Sequence, residues 1–290
     1  MLKIIIYKYI DMEYEFAIIY FGLTRTVKKT YESHINHIYK ILENNNLSYK
    51  KFMHTWKTND DIQNVWYKTF NQKIDYNEYK LLNPDFYTLD CEYEFLETIN
   101  MDNYFYKDVY NKLGHSTDGE WFPKNVSNHI CMIESQKRGL NMVLNNITLG
   151  NKFKYILFIR PDITIYNDLP LHQIIFNKIN IPNHSHYDGL NDQFAIMNFE
   201  YACIYGKRIN ELAEYRKTIG RIVPEKYLKY IIDKYKIEIN EILFDYCITR
   251  SDECEQIVRE HKRIHQINKS RRQRTVALFA RGRGTGKYRY

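Results

Sequence analysis

Two periods of hydrophobic spacing alternate along the chain. EFAIIYF (15–21) is an unbroken apolar run too short for a helix, which predicts a buried strand starting at Glu15. The turn GLTRT (22–26) follows, and from Val27 to about Glu43 the spacing lengthens, with Ile35, Ile38 and Leu42 on one helical face. Asn44-Asn45-Asn46 ends that helix, and SYKKFMHTW (48–56) reads as a second strand. Strand, turn, helix, strand is the opening unit of a parallel α/β sheet.

Residues 57–124 are polar and aromatic with weak period, so irregular, substrate-facing structure is expected there. DFYTLD (85–90) is a short strand-like piece and GHSTDGEWFPKN (114–125) a loop. Ser127 suits the N-cap of a helix running to about Asn145, with Ile130, Ile133, Leu140 and Leu144 on one stripe. Lys137 falls on that same stripe. The run Tyr155 to Ile159 then predicts a buried strand that must end or kink at Pro161, which cannot donate to a sheet ladder. INIP and QFAIM look like strands flanking a His- and Asp-rich loop. Helices over GKRINELAEYRKTIG and PEKYLKYIIDKYK follow, then one strand, IEINEILFDYCITR (237–250).

Charge divides the chain in two. From Arg259 onward 11 Lys/Arg face a single acidic residue, Glu260, whereas residues 1–258 carry 31 basic and 34 acidic side chains. The expectation is a near-neutral domain over 1–256 and a basic, loosely ordered tail over 257–290. Five scattered cysteines without a CxxC fit neither a disulfide framework nor a zinc knuckle and suit a reducing compartment, so a cytoplasmic protein is expected. MLKIIIYKYI is too short to span a bilayer and lacks a cleavage site; Met12 is an alternative start. The 27 Tyr, with abundant Asn, Ile and Lys, match AT-rich codons and hint at a virus or parasite, in which case the host cytoplasm is meant.

Candidate chemistry collects where strands are expected to end. Asp162 lies just past the carboxyl end of a central strand, where open α/β sheets bind ligands. Its carboxylate suits a hard cation, and Arg160 suits a phosphate held bidentately; a solvated pair ending a strand is the structural alternative. Gly22, Thr24 and Arg25 occupy the first strand-to-helix turn, which fits a nucleotide or an ordinary connection. Trp56 suits stacking on a base or burial, and Lys137 suits contact with a diphosphate or snorkelling. Asp188, Asn191 and Asp192 precede the QFAIM strand, where a carboxylate can take a proton from an acceptor hydroxyl. His184-x-His186 is the kind of short pair that is usually incidental. GRGTGK (282–287) lacks the P-loop spacing and the Ser/Thr that should follow its Lys.

In order, FGLTRT, HTW, ILFIRPD, NDQFAI and PEKYL resemble the GT-A-type nucleotide-sugar glycosyltransferases, in particular the loosely related set found in large DNA viruses, bacteria and some eukaryotes. The likeness spans roughly residues 14–250. It implies a single Rossmann-like mixed sheet flanked by helices, with an irregular acceptor-side region. The implied activity is hexosyl or pentosyl transfer from a UDP- or GDP-linked donor to a glycan or glycoprotein hydroxyl, assisted by Mn2+ or Mg2+. Asp162 would be the metal ligand, although Arg160 stands where the first Asp of the usual Asp-x-Asp belongs. Asp192, in the NDxF segment, would be the base or sugar contact. Glu225 in PEKYL matches an acidic position of the group, and equally suits the first turn of a helix. Two other classes remain open: a nucleotidyltransferase on a similar sheet, and a nucleic-acid-binding protein acting through the Arg-rich tail.

Overall fold

The computed structural model describes residues 12–58, 62–64, 69–72, 74–104 and 121–249. Its strands are β1 (Met12–Gly22), β2 (Tyr49–Lys57), β3 (Ile62–Asn64), β4 (Thr69–Gln72), β5 (Phe86–Cys91) and β6 (Asn151–Ile159). They are followed by β7 (Ile163–Ile165), β8 (Ile179–Pro182), β9 (Phe194–Met197), β10 (Ile239–Ile242) and β11 (Tyr246–Ile248). Seven of them form one sheet in the order β10-β8-β9-β6-β1-β2-β5. β1, β2, β5 and β6 run parallel, and β9 is antiparallel to both of its neighbours. This is the mixed, helix-flanked Rossmann-like sheet that the resemblance implies; the alternating pattern alone predicts its parallel β1-α-β2 opening.

The central strands are apolar throughout because both their faces are covered. Phe16, Ile18 and Tyr20 point to one face, together with Leu157 and Ile159. Ala17, Ile19 and Phe21 point to the other, with Ile156 and Phe158. The first face is packed by α1 (Val27–His34), which runs through a π-turn at Ile35–Tyr39 into α2 (Lys40–Asn44). Behind the second lie α4 (Trp121–Thr148), α5 (Phe199–Lys207) and α7 (Pro224–Lys234). The short helices α3 (Glu92–Glu97) and α6 (Leu212–Thr218) extend this layer around Ile130, Ile133 and Tyr227. No helix among the described residues is long and apolar enough to cross a membrane.

Several expectations are corrected. β1 starts at Met12, because Met12, Glu13 and Tyr14 find partners in Asn151, Lys152 and Phe153. α4 starts six residues before Ser127, at Trp121, so residues 121–125 of the expected loop are helical. Pro123 is tolerated there because first-turn N–H groups have no partner within the helix. Within the region expected to be irregular, the strand-like DFYTLD is β5, an edge strand of the main sheet, and the helix α3 that follows it is the part not expected. The single strand expected over 237–250 is two. Asn167 donates from Nδ2 to the Leu243 carbonyl at 2.9 Å and accepts from the Asp245 N–H at 2.6 Å. That bracket turns the chain away from β8, and β11 pairs with β7 instead. The tail and residues 1–11 lie outside the described residues.

Gly139 sets how closely α4 approaches β1. A Cβ at this position would lie 2.4 Å from Cγ2 of buried Ile19, whose branch next to the backbone has little room to move. Helix propensity alone predicts that Gly139→Ala gains roughly 0.5–1 kcal/mol. Packing predicts a net loss instead, of about 1–3 kcal/mol gross from overpacking. Urea unfolding should show a lower midpoint for the variant; a higher one would mean that the helix has room to retreat.

Candidate active site

Sheet order assembles the site. β1 is the strand at which the connections reverse, β2 and β5 lying on one side and β6 on the other. Such a switch point opens a crevice at the carboxyl ends of the strands. Because β9 is antiparallel, its first residues meet the last of β6: Ile159 faces Phe194, and the Arg160 N–H reaches the Gln193 carbonyl at 3.2 Å. Arg25 after β1, Arg160 and Asp162 after β6, and Asp192 before β9 therefore share one edge.

Asp162 is 1% exposed and ion-paired. Arg160 grips it with a two-toothed fork, Nε to Oδ1 at 2.8 Å and Nη2 to Oδ2 at 2.7 Å. From across the crevice, Arg25 donates to Oδ2 from Nε at 3.1 Å and from Nη2 at 2.9 Å. These two guanidinium charges hold the Asp162 carboxyl below the usual range against the opposing effect of burial. The backbone beneath is fixed as well. Thr30 Oγ1 donates to the Pro161 carbonyl at 2.7 Å, the Thr249 N–H to the Asp162 carbonyl at 2.8 Å, and His34 Nε2 lies 3.0 Å from the Ile163 carbonyl. Thr30 and His34, spaced i,i+4 on α1, are the sequence's reason for a rigid Arg-Pro-Asp turn.

The donor set does not fit Mn2+ or Mg2+. Both Asp162 oxygens already accept from guanidinium nitrogens, whose positive charge repels a cation at that carboxylate. Among the described residues no group of three or more His, Cys, Asp or Glu is placed to hold an ion.

The second half of the cluster is a pair of carboxylates. Gly189 packs so tightly on the first turn of α7 that a Cβ would sit 2.1 Å from the Glu225 carbonyl carbon, and the Leu190 N–H donates to the Glu225 carbonyl at 3.0 Å. This docking places Asp192 within electrostatic reach of Glu225. Burial raises the Asp192 carboxyl, opposed by Arg208 and Arg160. Burial and then the Asp192 charge push Glu225 up to about 7. One face of α4 closes the site: Met132 Sδ lies 3.9 Å from Arg160 Nη1, and His129 and Gln136 stand one turn to either side.

Not every expected residue joins. Gly22 spends its N–H on Ser135 Oγ at 2.9 Å, and Thr24 is buried beside it in the chain. Trp56 is a core side chain: its Nε1–H donates to the Cys131 carbonyl at 2.9 Å, Phe95 stacks at 5.1 Å and the Arg138 guanidinium lies 4.7 Å from its ring. No face is left for a base. Lys137 leans outward to Asn210 Oδ1 at 3.2 Å. Asn191 is buried and bonded to the His184 carbonyl, the Gln193 N–H and the Tyr246 hydroxyl, which makes it a loop brace. Asp188 is exposed on the outside of its loop, 3.7 Å from Lys226. Arg160 stays in the cluster, but its fork is spent on Asp162 rather than on a phosphate.

Arg208 was not singled out by its sequence context. It is 1% exposed, held by Nη1 to the Tyr205 carbonyl at 2.6 Å and lying over the Tyr205 ring at 4.3 Å. The available signal was a charge on the apolar stripe Tyr205, Ile209 and Leu212, the same kind of anomaly as Lys137. A different trio, Ser135, His54 and Asp90, is connected in series at 2.8 and 3.0 Å like a nucleophile, base and acid. Ser135 is fully buried and takes the Gly22 N–H, so this chain pins α4 to the sheet and cannot reach a substrate.

No family model matches the chain, and no curated protein matches it. Among solved structures the chain is similar to the crystal structure of mouse xyloside xylosyltransferase 1 in its apo form. The TM-score is 0.38 and the identity 8%, over 80% of this chain and 85% of that one.

Glu225 gives the site a pH signature. Its carboxyl rises from 4.5 unfolded to about 7 folded, so between those values the folded state binds the extra proton. Stability contributed by the protonated form is complete below the unfolded value and is lost as pH rises through the folded one. Glu225→Gln should therefore melt higher than wild type at pH 8 and alike near pH 4. Equal melting temperatures at both would show that the Glu225 environment does not penalise its charge.

Proposed function

We propose that this chain is a glycosyltransferase that moves a hexosyl or pentosyl group from a UDP- or GDP-linked donor to a hydroxyl of a glycan or glycoprotein. One observation carries the reading: two carboxyls raised by burial, the buried Asp192 and the half-buried Glu225, stand near Arg160 and the buried Arg208 at the carboxyl edge of a Rossmann-like sheet. The ordered motifs of the sequence support the same reading.

Sugar transfer needs two things from the protein. The acceptor O–H must lose its proton as its oxygen bonds to the anomeric carbon, and the departing nucleoside diphosphate must be stabilised as the anomeric C–O bond breaks. Carboxylates that share burial and each other's charge meet the first need, because a base poised near neutrality takes a proton without being permanently protonated. The acceptor proton goes to Asp192, which burial makes a stronger base while Arg208 and Arg160 oppose that rise. Glu225, half-buried and at about 7, holds the acceptor and tunes its partner. The second need falls to positive charge in a dry site, where it acts strongly. Asp162 does not touch the reacting atoms in this scheme; it fixes Arg160 and Arg25.

Donor turnover tests the scheme. A panel of UDP- and GDP-sugars with glycan acceptors should reveal one productive pair, with activity rising with pH as the Asp192–Glu225 pair gives up its proton. Asp192→Asn should lower turnover roughly 10²- to 10⁴-fold, the usual worth of a general base, while nucleotide affinity stays nearly intact. Full activity in Asp192→Asn would remove Asp192 from the chemistry.

A further inference from the structure

Arg208 and Arg160 use the same chemistry differently. Arg160 spends its Nε/Nη2 edge, the pair of parallel N–H bonds that fits two oxygens at once, on Asp162. Arg208 is anchored at the other end, through Nη1 to the Tyr205 carbonyl, and among the described residues its Nε and Nη2 have no partner. Its backbone carbonyl is held by the Tyr227 hydroxyl, so the fork is aimed from a fixed base. A second orphan stands next to it. His129, on the α4 face that lines the site, is 4% exposed with neither ring nitrogen bonded, and the Arg208 charge helps to keep it neutral.

Two unsatisfied buried groups within electrostatic reach of each other are costly, the charged one more so. Asp192 provides a nearby opposite charge, yet no ion pair forms between it and Arg208 among the described residues. A tetrahedral oxyanion supplies what is missing: two acceptor oxygens for the fork, a third for a neutral imidazole N–H, and negative charge for the guanidinium.

We propose that Arg208, assisted by His129, is an anion subsite that takes a phosphate of a diphosphate-bearing ligand directly, with no divalent cation between protein and ligand. The identification of that ligand as a nucleoside diphosphate rests on the glycosyltransferase reading; the subsite itself does not. It also accounts for the poor fit of a metal at Asp162, since the charge that a cation would carry is already supplied by guanidinium groups.

Calorimetric titration of inorganic pyrophosphate, UDP and GDP into the full chain, once with Mn2+ and once with EDTA, tests this. Pyrophosphate and at least one nucleotide should bind equally in both buffers. Arg208→Lys, which keeps the charge and loses the fork, should weaken both by roughly tenfold or more, and His129→Gln by less. Circular dichroism checks that each variant folds, and the two-buffer comparison on wild type needs no variant. Binding that vanishes in EDTA and returns with Mn2+ overturns the subsite while leaving the nucleotide reading standing. So does a folded Arg208→Lys that binds like wild type. Pyrophosphate binding in EDTA without UDP or GDP binding supports the subsite and removes the nucleotide-sugar reading, and no binding of any of the three overturns the subsite.

Discussion

The Asp162 carboxylate, gripped from both sides of the crevice by Arg25 and Arg160, is the constraint on which the rest depends. It ties the turn after β1 to the turn after β6 at the point where the sheet order reverses. A lone buried carboxylate would protonate and a lone buried guanidinium would be expelled; together they stay charged. The surroundings are built to hold them. Thr30, His34 and Thr249 each bond to the backbone of residues 161–163 or to its neighbours, so the carboxylate cannot swing. A pair this enclosed gives little net stability compared with a well-packed apolar core. Its effect is on direction, since it sets where Arg160 and its neighbours point.

From that fixed edge the remaining polar groups follow. Antiparallel β9 brings Asp192 beside Arg160, and the Gly189 contact brings Glu225 beside Asp192. From Arg25 through Asp162 and Arg160 to Asp192 positive and negative side chains alternate, which keeps these enclosed charges tolerable, and only Glu225 meets a like charge. Arg208 ends the row with its fork unspent. For the anion subsite proposed at Arg208, the charge is in place before a ligand arrives, and preorganised charge of that kind needs no rearrangement during a reaction.

Much of the fold was legible because the central strands are apolar on both faces and the helices keep a clear period. EFAIIYF and YILFI could be little else than buried strands, and Pro161 marked where β6 must stop. The break within 237–250 was not legible, because it depends on Asn167, some 76 residues before Leu243. At the candidate site, Arg25, Arg160 and Asp162 were singled out from their places at strand ends, and Asp192 and Glu225 chiefly from the resemblance; the fold brings these five to one edge. Their roles were harder. Whether a carboxylate at a strand end meets a cation or a guanidinium depends on what the neighbouring turn contributes, and Arg25 arrives from 137 residues away. Trp56 and Asn191 went the other way: residue types suited to ligands proved to be fully used inside, which no local pattern reveals. Arg208 was hidden in a helical stretch where a single charge on an apolar stripe looks like tolerance.

The central claim is that Asp162 is the counter-ion of two arginines. The direct test is the thermal stability of Asp162→Asn, measured at neutral pH with EDTA and again with Mn2+. Removing one partner from a buried ion pair leaves uncompensated charge and costs about 3–5 kcal/mol. The account predicts a large drop in melting temperature, the same in both buffers. A variant as stable as wild type in EDTA, with wild type alone stabilised by Mn2+, would contradict it and return Asp162 to the role of a metal ligand.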